Sequence, residues 1–203
     1  SQVPRQVFAA SDRPELLVDL TLPRNASIHA SEAAVNRLEA ILREDADVAS
    51  WSTYIGQGAI RFYLPMDVQL ANPFFSQLVV IAKDVEARDR LQAKLETQLA
   101  EMFPNAVSRA SPLELGPPVG WPVRYRLSGE DEIKVREIAL EVAQLLADER
   151  VQRINYDWME KARVVRIQID QDQARLMGLS TDAIAQAINT AISGTTITQV
   201  RDD

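Results

Sequence analysis

In the first half of the chain, segments with apolar residues at every second position alternate with segments that have helical spacing. Few folds can accommodate this order. Residues 15–22 place apolar side chains at every second position, which predicts a strand that is buried on one face only. Ser31 is predicted to cap a helix that runs to about Glu44. Further patterns predict strands at 48–55, 74–83 and 106–115 and a helix from Asp84 to Met102. The order strand, helix, strand, strand, helix, strand predicts an α+β fold, the ferredoxin-like βαββαβ plait, with both helices on one sheet face.

The glycine- and proline-rich residues 116–120 read as a linker, after which a similar pattern begins again. Residues 122–127 alternate, which predicts a strand. Ser128, supported by Asp131, is predicted to cap a helix. The inward stripe of that helix would consist of Val135, Ile138, Val142 and Leu145. With a further strand predicted at 151–158, the second half repeats one βαβ unit.

The last part of the chain has the order strand, short helix, helix. Residues 163–170 alternate and predict a strand, and a short polar helix follows and ends at Gly178. Ser180 or Thr181 is predicted to cap an amphipathic helix that ends at Gly194. Residues 195–201 are a candidate strand.

Composition excludes several classes of function. The net charge of −7 argues against a nucleic-acid-binding surface, which needs a basic face. The chain has no cysteine, so disulfides, thiolate metal sites and thiol nucleophiles are excluded. No apolar run approaches the ~18–20 residues that span a bilayer, so we expect the chain alone to be soluble. Because it begins without methionine and ends abruptly, we also expect it to be an excised piece of a longer protein.

Few residues are candidates for catalysis or metal binding. Asp170 and Asp172 lack the ligand spacing of a calcium loop, and Asp170 is better placed to cap the short helix. His29 is the single histidine and lies in a turn, so we expect it to be solvated. Neither observation predicts a cofactor or an enzyme.

One feature does indicate binding, and it combines a sheet face with a loop. The face away from the helices is expected to be uncovered and to carry apolar or neutral residues, and a glycine-bearing loop beside it carries aromatic ones. The predicted face residues are Leu17, Thr21, Val79, Ile81 and Val107, and the aromatic residues are Tyr54, Phe62, Tyr63, Phe74 and Phe75. Apolar walls with adaptable aromatic rings suit greasy ligands. The alternative is that this face packs against another subdomain.

Four ordered segments give the whole chain a family resemblance. They are "LLVDLTLPRNAS" at 16–27, "YIGQGAIRFY" at 54–63, "LELGPPVGWPVRYRLSG" at 113–129 and "IQIDQDQARLMGLSTDAIAQAI" at 167–188. The chain resembles the periplasmic porter region in the C-terminal half of a resistance-nodulation-division transporter. Within that superfamily it is most similar to the hydrophobe/amphiphile efflux class, the acriflavine-resistance type.

The resemblance implies three parts and a set of substrate-binding residues. Residues 1–115 would form the first C-terminal porter subdomain, 116–160 the first βαβ half of the second, and 161–203 the beginning of a docking subdomain. The positions that match the family's pocket are Leu17, Asp19, Thr21, Phe62, Val79, Val107 and Arg109. Asp19 and Arg109 are charged where the family's drug pumps are apolar or aromatic.

The resemblance also implies a biological setting. The full-length protein would be a proton-driven exporter of hydrophobic or amphiphilic small molecules on the periplasmic side of the bacterial inner membrane. It would work as a homotrimer with a periplasmic adaptor and an outer-membrane channel, without binding nucleic acid. The proton-relay residues would lie in membrane helices outside this chain. The residues themselves also leave open a stand-alone small-molecule or regulatory binding module built on ferredoxin-like plaits.

Overall fold

The structure is a computed structural model, and it describes residues 11–116, 120–121, 123–147, 151, 153–157 and 162–198. The chain divides into two compact units, Ser1–Ala162 and Arg163–Asp203.

The first unit is built around a four-stranded antiparallel sheet. Its elements are β1 (Glu15–Thr21), α1 (Ile28–Glu44), β2 (Val48–Ile55), β3 (Phe75–Ala82), α2 (Val85–Met102) and β4 (Val107–Pro112). The strand order is β2-β3-β1-β4, and each neighbouring pair is antiparallel. This confirms the predicted ferredoxin-like plait, with the strand bounds shortened by one to three residues at some ends.

The core lies between the sheet and the two helices. Leu16, Val18 and Leu20 of β1 are buried, whereas the residues between them are half-buried. The helices meet this face with stripes at helical spacing, formed by Val35, Leu38 and Leu42 of α1 and Leu91, Leu95 and Leu99 of α2. Each fully buried aliphatic side chain contributes about 1.5–3 kcal/mol relative to an exposed one, so these stripes determine which sheet face becomes the core.

Helix α1 begins earlier than the sequence predicted. Ser27 is the N-cap, and its side chain accepts a hydrogen bond from the Ala30 amide at 3.3 Å. Ser31, the predicted cap, lies inside the helix, is buried, and donates to the Pro73 carbonyl at 2.7 Å. Because Ser27 already satisfies a free amide of the first turn, Ser31 instead fastens α1 to the segment before β3. The Asp84 cap of α2 is confirmed.

The pattern after residue 116 is only partly formed. Helix α3 (Glu132–Leu146) is present, but Asp131 caps it through the Ile133 and Lys134 amides, so the prediction of Ser128 was wrong. The Asp131 carboxylate accepts from two first-turn amides and places a negative charge at the positive helix end, whereas Ser128 lies three residues before this cap position. Ile138 and Leu145 of the predicted inward stripe are 40% and 85% exposed.

The strands predicted beside α3 are absent from their described residues. Residues 123–127 and 153–157 form no strand, and Val151 makes only an isolated bridge. A strand needs a hydrogen-bonded neighbour, and these segments have none among the described residues. Pro122, Gln152 and Trp158, which belong to the same predicted strands, lie outside the described residues.

Residues 163–198, the described part of the second unit, contain two short helices. Asp170 caps α4 (Gln171–Leu176) through the Asp172 and Gln173 amides, and Ser180 caps α5 (Thr181–Ser193), as predicted. Gly178 and Gly194 follow the helices with positive φ, of 68° and 76°. The strand predicted at 163–170 is wrong, since its residues carry no sheet pairing, and Val165 is 91% exposed. Residues 195–198 also form no strand, and 199–201 lie outside the described residues.

Candidate functional site

Six of the seven predicted site residues share the sheet face opposite the helices. The cross-strand rows are Leu17 with Val79 and Ser111, Asp19 with Gln77 and Arg109, and Thr21 with Phe75 and Val107. Residues directly opposite each other in an antiparallel sheet have Cβ atoms about 5 Å apart, so each row is a contact unit. The six predicted residues are all half-buried, which means that this face is neither a core nor an open surface.

The glycine-bearing loop, residues 56–74, closes on itself at a narrow neck. The Gly56 amide donates to the Phe75 carbonyl at 2.8 Å, and the Asn72 amide donates to the Gly56 carbonyl at 2.8 Å. Gly56 has a φ of +75°, a conformation that favours glycine. The loop therefore leaves and re-enters the sheet at one point and projects from it as a compact unit.

The loop also covers part of the sheet face. A side chain at Gly58 would place its Cβ 2.8 Å from the Cβ of Gln69, so the two legs of the loop pack against each other. Ala59 and Met66 are 1% and 2% exposed, and Ala59 is hydrogen-bonded to Gln77 of β3. The prediction of an uncovered face was therefore wrong, because the chain's own loop lies over its middle row.

Gln77 joins the loop to the sheet and to the predicted site. It is 2% exposed and uses both ends of its amide. Its Oε1 accepts from the Ala59 amide at 2.8 Å, and its Nε2 donates to Asp19 Oδ1 at 2.7 Å. Because a backbone amide can only donate, the Ala59 bond fixes which way the Gln77 amide points. Sequence reasoning missed Gln77, since a glutamine in a strand is ordinarily a surface residue.

Asp19 occupies the centre of this face. Burial raises the pKa of its carboxyl group above the ordinary value of 3.8. The hydrogen bond from Gln77 and the positive charge of Arg109 act in the opposite direction, and the negative charge of Asp67 in the loop adds to the rise. The middle row is therefore polar and titratable, whereas the sequence pattern predicted an apolar wall.

Phe62, the seventh predicted residue, lies in the loop and not in the sheet rows. Its side chain is 41% exposed. Its ring lies 5.4 Å from the Tyr63 ring and 5.9 Å from the Arg13 guanidinium carbon. Burial raises the pKa of the Tyr63 hydroxyl. Phe62 thus presents part of an aromatic ring at the edge of the covered face.

Arg109 connects this face with the segment after the linker. Its guanidinium carbon lies 5.6 Å from the centre of the Trp121 ring, and one of its nitrogens lies 3.5 Å from Glu114 Oε1. Cation–π contact of this kind orients the indole ring.

Beside β4, a cavity of about 260 Å³ opens between the end of α2 and the segment after the linker. Its walls are mainly apolar and aromatic. They are formed by Ala100, Phe103, Pro104, Asn105, Ala106, Val107, Ser108, Trp121, Arg153, Ile154, Asn155 and Tyr156. Val107 is the one predicted site residue among them.

Arg153 is the cavity residue that sequence reasoning missed most clearly. Its φ of +60° is rare for a residue other than glycine. Its Nη1 donates to the Ser108 carbonyl at 3.3 Å and lies 4.0 Å from Glu96 Oε1. Nothing in the sequence separates Arg153 from a surface arginine, because its position depends on contact with β4. Trp121, a large aromatic residue directly after the linker, is the one cavity residue that could have been noticed in the sequence as a signal of this site.

The remaining candidates have structural roles. Within the described ranges, no group of three or more His, Asp or Glu side chains is arranged to hold a metal ion. The His29 side chain is 87% exposed and lies 3.7 Å from Glu32. None of the helices in the described part of the chain has the length and apolarity needed to cross a bilayer.

A ferredoxin-like plait with a loop over the sheet face opposite its helices, followed in the chain by further helices, defines a mixed α+β protein. The model of the AcrB/AcrD/AcrF family matches residues 1–203. The chain therefore belongs to the AcrB/AcrD/AcrF family, and the resistance-nodulation-division class expected from the sequence is confirmed.

Solved structures support the fold. The chain is similar to an X-ray structure of a heavy metal efflux pump in crystal form I, with a TM-score of 0.62, 17% identity and coverage of 95% of this chain. Crystal form II of a heavy metal efflux pump matches with a TM-score of 0.59, 16% identity and 89% coverage. The chain spans 21% and 20% of the lengths of those proteins. No curated protein sequence matches this chain.

Proposed function

We propose that this chain is the periplasmic, substrate-capturing portion of a proton-driven efflux transporter of the bacterial inner membrane. Its substrates are hydrophobic or amphiphilic small molecules, as in the acriflavine-resistance type. The chain comes from the C-terminal half, with residues 1–115 as the first porter subdomain, 116–160 as half of the second, and 161–203 as the start of a docking subdomain. Its role is ligand capture and conformational change, not bond chemistry.

The cavity beside β4 is the observation that carries this proposal. Ala100 to Ser108 belong to the first proposed subdomain, whereas Trp121 and residues 153–156 belong to the second. A cavity with walls from two subdomains changes shape when one moves against the other. This is the property that an alternating-access transporter requires of its binding site.

The sheet face opposite the helices adjoins this cavity along β4. Val107 lines the cavity, and Arg109, on the same strand, holds Trp121 in its wall. We therefore assign substrate contact to the face residues and to the loop. The residues concerned are Leu17, Asp19, Thr21, Phe62, Val79, Val107 and Arg109.

The proposed assembly follows from family membership. The full-length protein would be a homotrimer that passes its substrate to a periplasmic adaptor and an outer-membrane channel. The proton relay would lie in membrane helices outside residues 1–203.

The test is disruption of the full-length gene, followed by complementation with the unmodified gene and with a Phe62→Ala variant. We expect disruption to increase susceptibility to amphiphilic compounds and Phe62→Ala to restore resistance only in part. Ile60→Ala is the matched control, because Ile60 lies in the same loop and is 78% exposed. Unchanged susceptibility of the disrupted strain to every compound would refute the efflux proposal.

Export of heavy metal ions is a second candidate, because the matched solved structures are described as heavy metal efflux pumps. The same strains distinguish the two substrate classes when they are challenged with copper, silver, zinc and cobalt salts. A stand-alone binding module is the third candidate. It predicts a gene that encodes no membrane spans, whereas the transporter proposal predicts about a dozen.

A further inference from the structure

Arg88 lies in the first turn of α2, where its side chain is buried against the segment that enters β1. We propose that Arg88 is a positioning residue for the aromatic rings of the glycine-bearing loop. It fixes the entry segment, residues 11–14, and this segment in turn determines where the rings of Phe62 and Tyr63 lie. The effect on ring position is a property of the fold, whereas its consequence for substrate rests on the proposed function.

The placement of Arg88 is unfavourable unless it serves a specific contact. Its side chain is 6% exposed, and charged side chains are rarely buried without partners. Its positive charge also lies near the N-terminus of α2, the end at which the helix dipole disfavours cations. Arg90, in the same helix, has a side chain that is 56% exposed, as is usual for a surface arginine. The contacts that Arg88 makes must therefore offset the cost of its burial.

Those contacts hold the entry segment from one side. The Nη1 of Arg88 donates to the carbonyls of Ser11 and Arg13, the latter at 2.8 Å. Its Nε and Nη2 both donate to Asp89 Oδ1, at 2.9 and 2.8 Å, which fixes the plane of the guanidinium group. Four of its five N–H donors therefore have partners within the described part of the chain. A lysine cannot repeat this pattern, because its donors all lie on one nitrogen.

The first link from the entry segment to the loop is the Arg13 side chain. Its guanidinium carbon lies 5.9 Å from the centre of the Phe62 ring, within the range of a cation–π contact. The same guanidinium is paired with Glu15, at the start of β1. Because Arg88 holds the Arg13 backbone and Glu15 holds the Arg13 head group, the cation is fixed beside Phe62 from both ends.

The second link passes through the segment that leaves β4. The Ser11 amide donates to the Leu113 carbonyl at 2.9 Å, and the two residues are 3% and 1% exposed. The backbone of the next residue, Glu114, forms a hydrogen bond with the Tyr63 hydroxyl. The centre of the Tyr63 ring lies 5.4 Å from that of the Phe62 ring. Both links therefore end at the same pair of rings.

Amide hydrogen exchange in the whole 203-residue chain tests the inference. The Ser11 amide reports on the entry segment. The Met66 amide donates to the Tyr63 carbonyl at 3.3 Å and therefore reports on the turn that carries the rings. The Ala59 amide is the internal reference, because it lies in the same loop but is held by Gln77.

The variants are Arg88→Met, Arg88→Lys and Arg13→Met. The first removes the guanidinium contacts, the second keeps the charge without the forked geometry, and the third removes the cation beside Phe62 but leaves the backbone carbonyl of residue 13 bonded to Arg88. Arg90→Met is the matched control, because Arg90 lies in the same helix and pairs with Asp47.

For Arg88→Met we expect exchange at Ser11 to become about tenfold faster or more, because the entry segment loses two hydrogen bonds from a charged donor. Exchange at Met66 should become about threefold faster or more, a size typical of coupling through packed side chains. Exchange at Ala59 should change by less than about twofold, since its bond does not involve the entry segment. Arg88→Lys should give intermediate rates, Arg13→Met should accelerate Met66 alone, and Arg90→Met should change neither Ser11 nor Met66.

Two outcomes for Arg88→Met would overturn the inference. Faster exchange at Ser11 with unchanged exchange at Met66 would mean that Arg88 only satisfies two carbonyls. Equal acceleration at Ser11, Met66 and Ala59 would mean a general loss of stability. If Arg88→Met does not fold, Arg13→Met decides, because its side chain is 48% exposed and its loss leaves the core intact. Faster exchange at Met66 in that variant supports the inference, and an unchanged rate refutes it.

A second experiment extends the inference to the substrate. In the full-length gene, Arg13→Met should lower resistance to amphiphilic compounds, and Arg13→Met combined with Phe62→Ala should be no more susceptible than Phe62→Ala alone. This non-additivity is expected because Arg13 acts through that ring. Additive losses would refute such a role for Arg13. Disruption of the gene without any change in susceptibility would refute the proposed function, while the exchange rates would still decide the positioning role.

Discussion

The Gln77 amide makes the sharpest prediction, because one buried side chain ties the loop to the sheet. We consider Gln77→Leu, which keeps a similar volume and removes both polar groups. The substitution leaves the Ala59 amide, on a residue 1% exposed, without its acceptor at 2.8 Å. It also removes the bond of 2.7 Å to the Asp19 carboxylate.

The size of the effect follows from these two bonds. An unsatisfied buried backbone donor costs about 1–3 kcal/mol, and a hydrogen bond to a charged group contributes about 1.5–3 kcal/mol. The full sum is not expected in the free energy of unfolding, because the loop can lift and expose both groups to water. The neck bonds of Gly56 to Phe75 and Asn72 do not depend on Gln77, so lifting is local. We therefore expect a loss of about 2 kcal/mol.

Hydrogen exchange measures the local part of this effect. The Ala59 amide is expected to exchange at least about tenfold faster in Gln77→Leu, since a factor of ten corresponds to about 1.4 kcal/mol of opening free energy. Amides of the core strand β1 should change only with global stability, measured by urea unfolding. Gln57→Leu is the matched control, because Gln57 lies in the same loop and is exposed. Unchanged exchange at Ala59 in Gln77→Leu would refute the reasoning.

Two further predictions concern the sheet and the helix layer that packs on it. Asp19→Asn removes a carboxyl group whose pKa is raised on folding, so the folded state of the unmodified protein binds that proton more tightly than the unfolded state. The contribution of Asp19 to stability therefore falls as pH rises above 3.8, and the unfolding free energy of Asp19→Asn relative to the unmodified protein should increase across that interval in urea titrations. A difference in unfolding free energy between the two proteins that stays constant from pH 3 to 7 would contradict a raised pKa of Asp19 in the folded state. Leu38→Ala, at a side chain that is 0% exposed, is expected to cost about 2–5 kcal/mol by urea unfolding. Leu64→Ala, at 87% exposure, should change stability by less than about 0.5 kcal/mol, and equal losses would mean that α1 does not form the core.

The plait was predictable because its signals are local and repeated. The alternation in β1 and the helical stripes in α1 and α2 each arise because one face of the element is buried. The order of two-residue and helical spacing along the sequence therefore predicted the order of strands and helices. The cap of α1 was misplaced because Ser27 and Ser31 are both acceptable N-caps in sequence. The decision between them depended on Pro73, which lies 42 positions from Ser31 and whose carbonyl accepts its hydroxyl.

The strands predicted after the linker were wrong for a different reason. Residues 123–127 and 163–170 have the correct period, but a strand also requires a partner with free hydrogen-bonding groups. Periodicity records which side chains would be buried and contains no information about whether a neighbouring strand is present. The helices α3, α4 and α5 need no such partner, because their hydrogen bonds are internal. They formed in the predicted segments, although α3 is capped by Asp131 and not by Ser128.

Single residues of the candidate site were missed for the same reason, because their roles depend on contact with distant partners. Sequence reasoning placed Leu17, Asp19 and Val79 on one face correctly, because a period of two determines sides. It described that face as apolar and uncovered, because neither Gln77 nor Ala59 carries a signal of its own. Their bond exists only where residues 59 and 77 meet. Arg153 is a parallel case, since its role depends on the Ser108 carbonyl, 45 positions away.

These long-range contacts also suggest how the two parts of the proposed site depend on each other. Arg109 lies in the row of Asp19 and holds Trp121, and Trp121 is a wall of the cavity that contains Arg153. A change in the charge of Asp19 alters the field at Arg109, because the two interact electrostatically. Protonation of Asp19 would therefore weaken its attraction for Arg109, whose guanidinium carbon already lies 5.6 Å from the centre of the Trp121 ring. The polar middle row therefore gives the cavity wall a titratable neighbour, which an apolar row of the same shape would not provide.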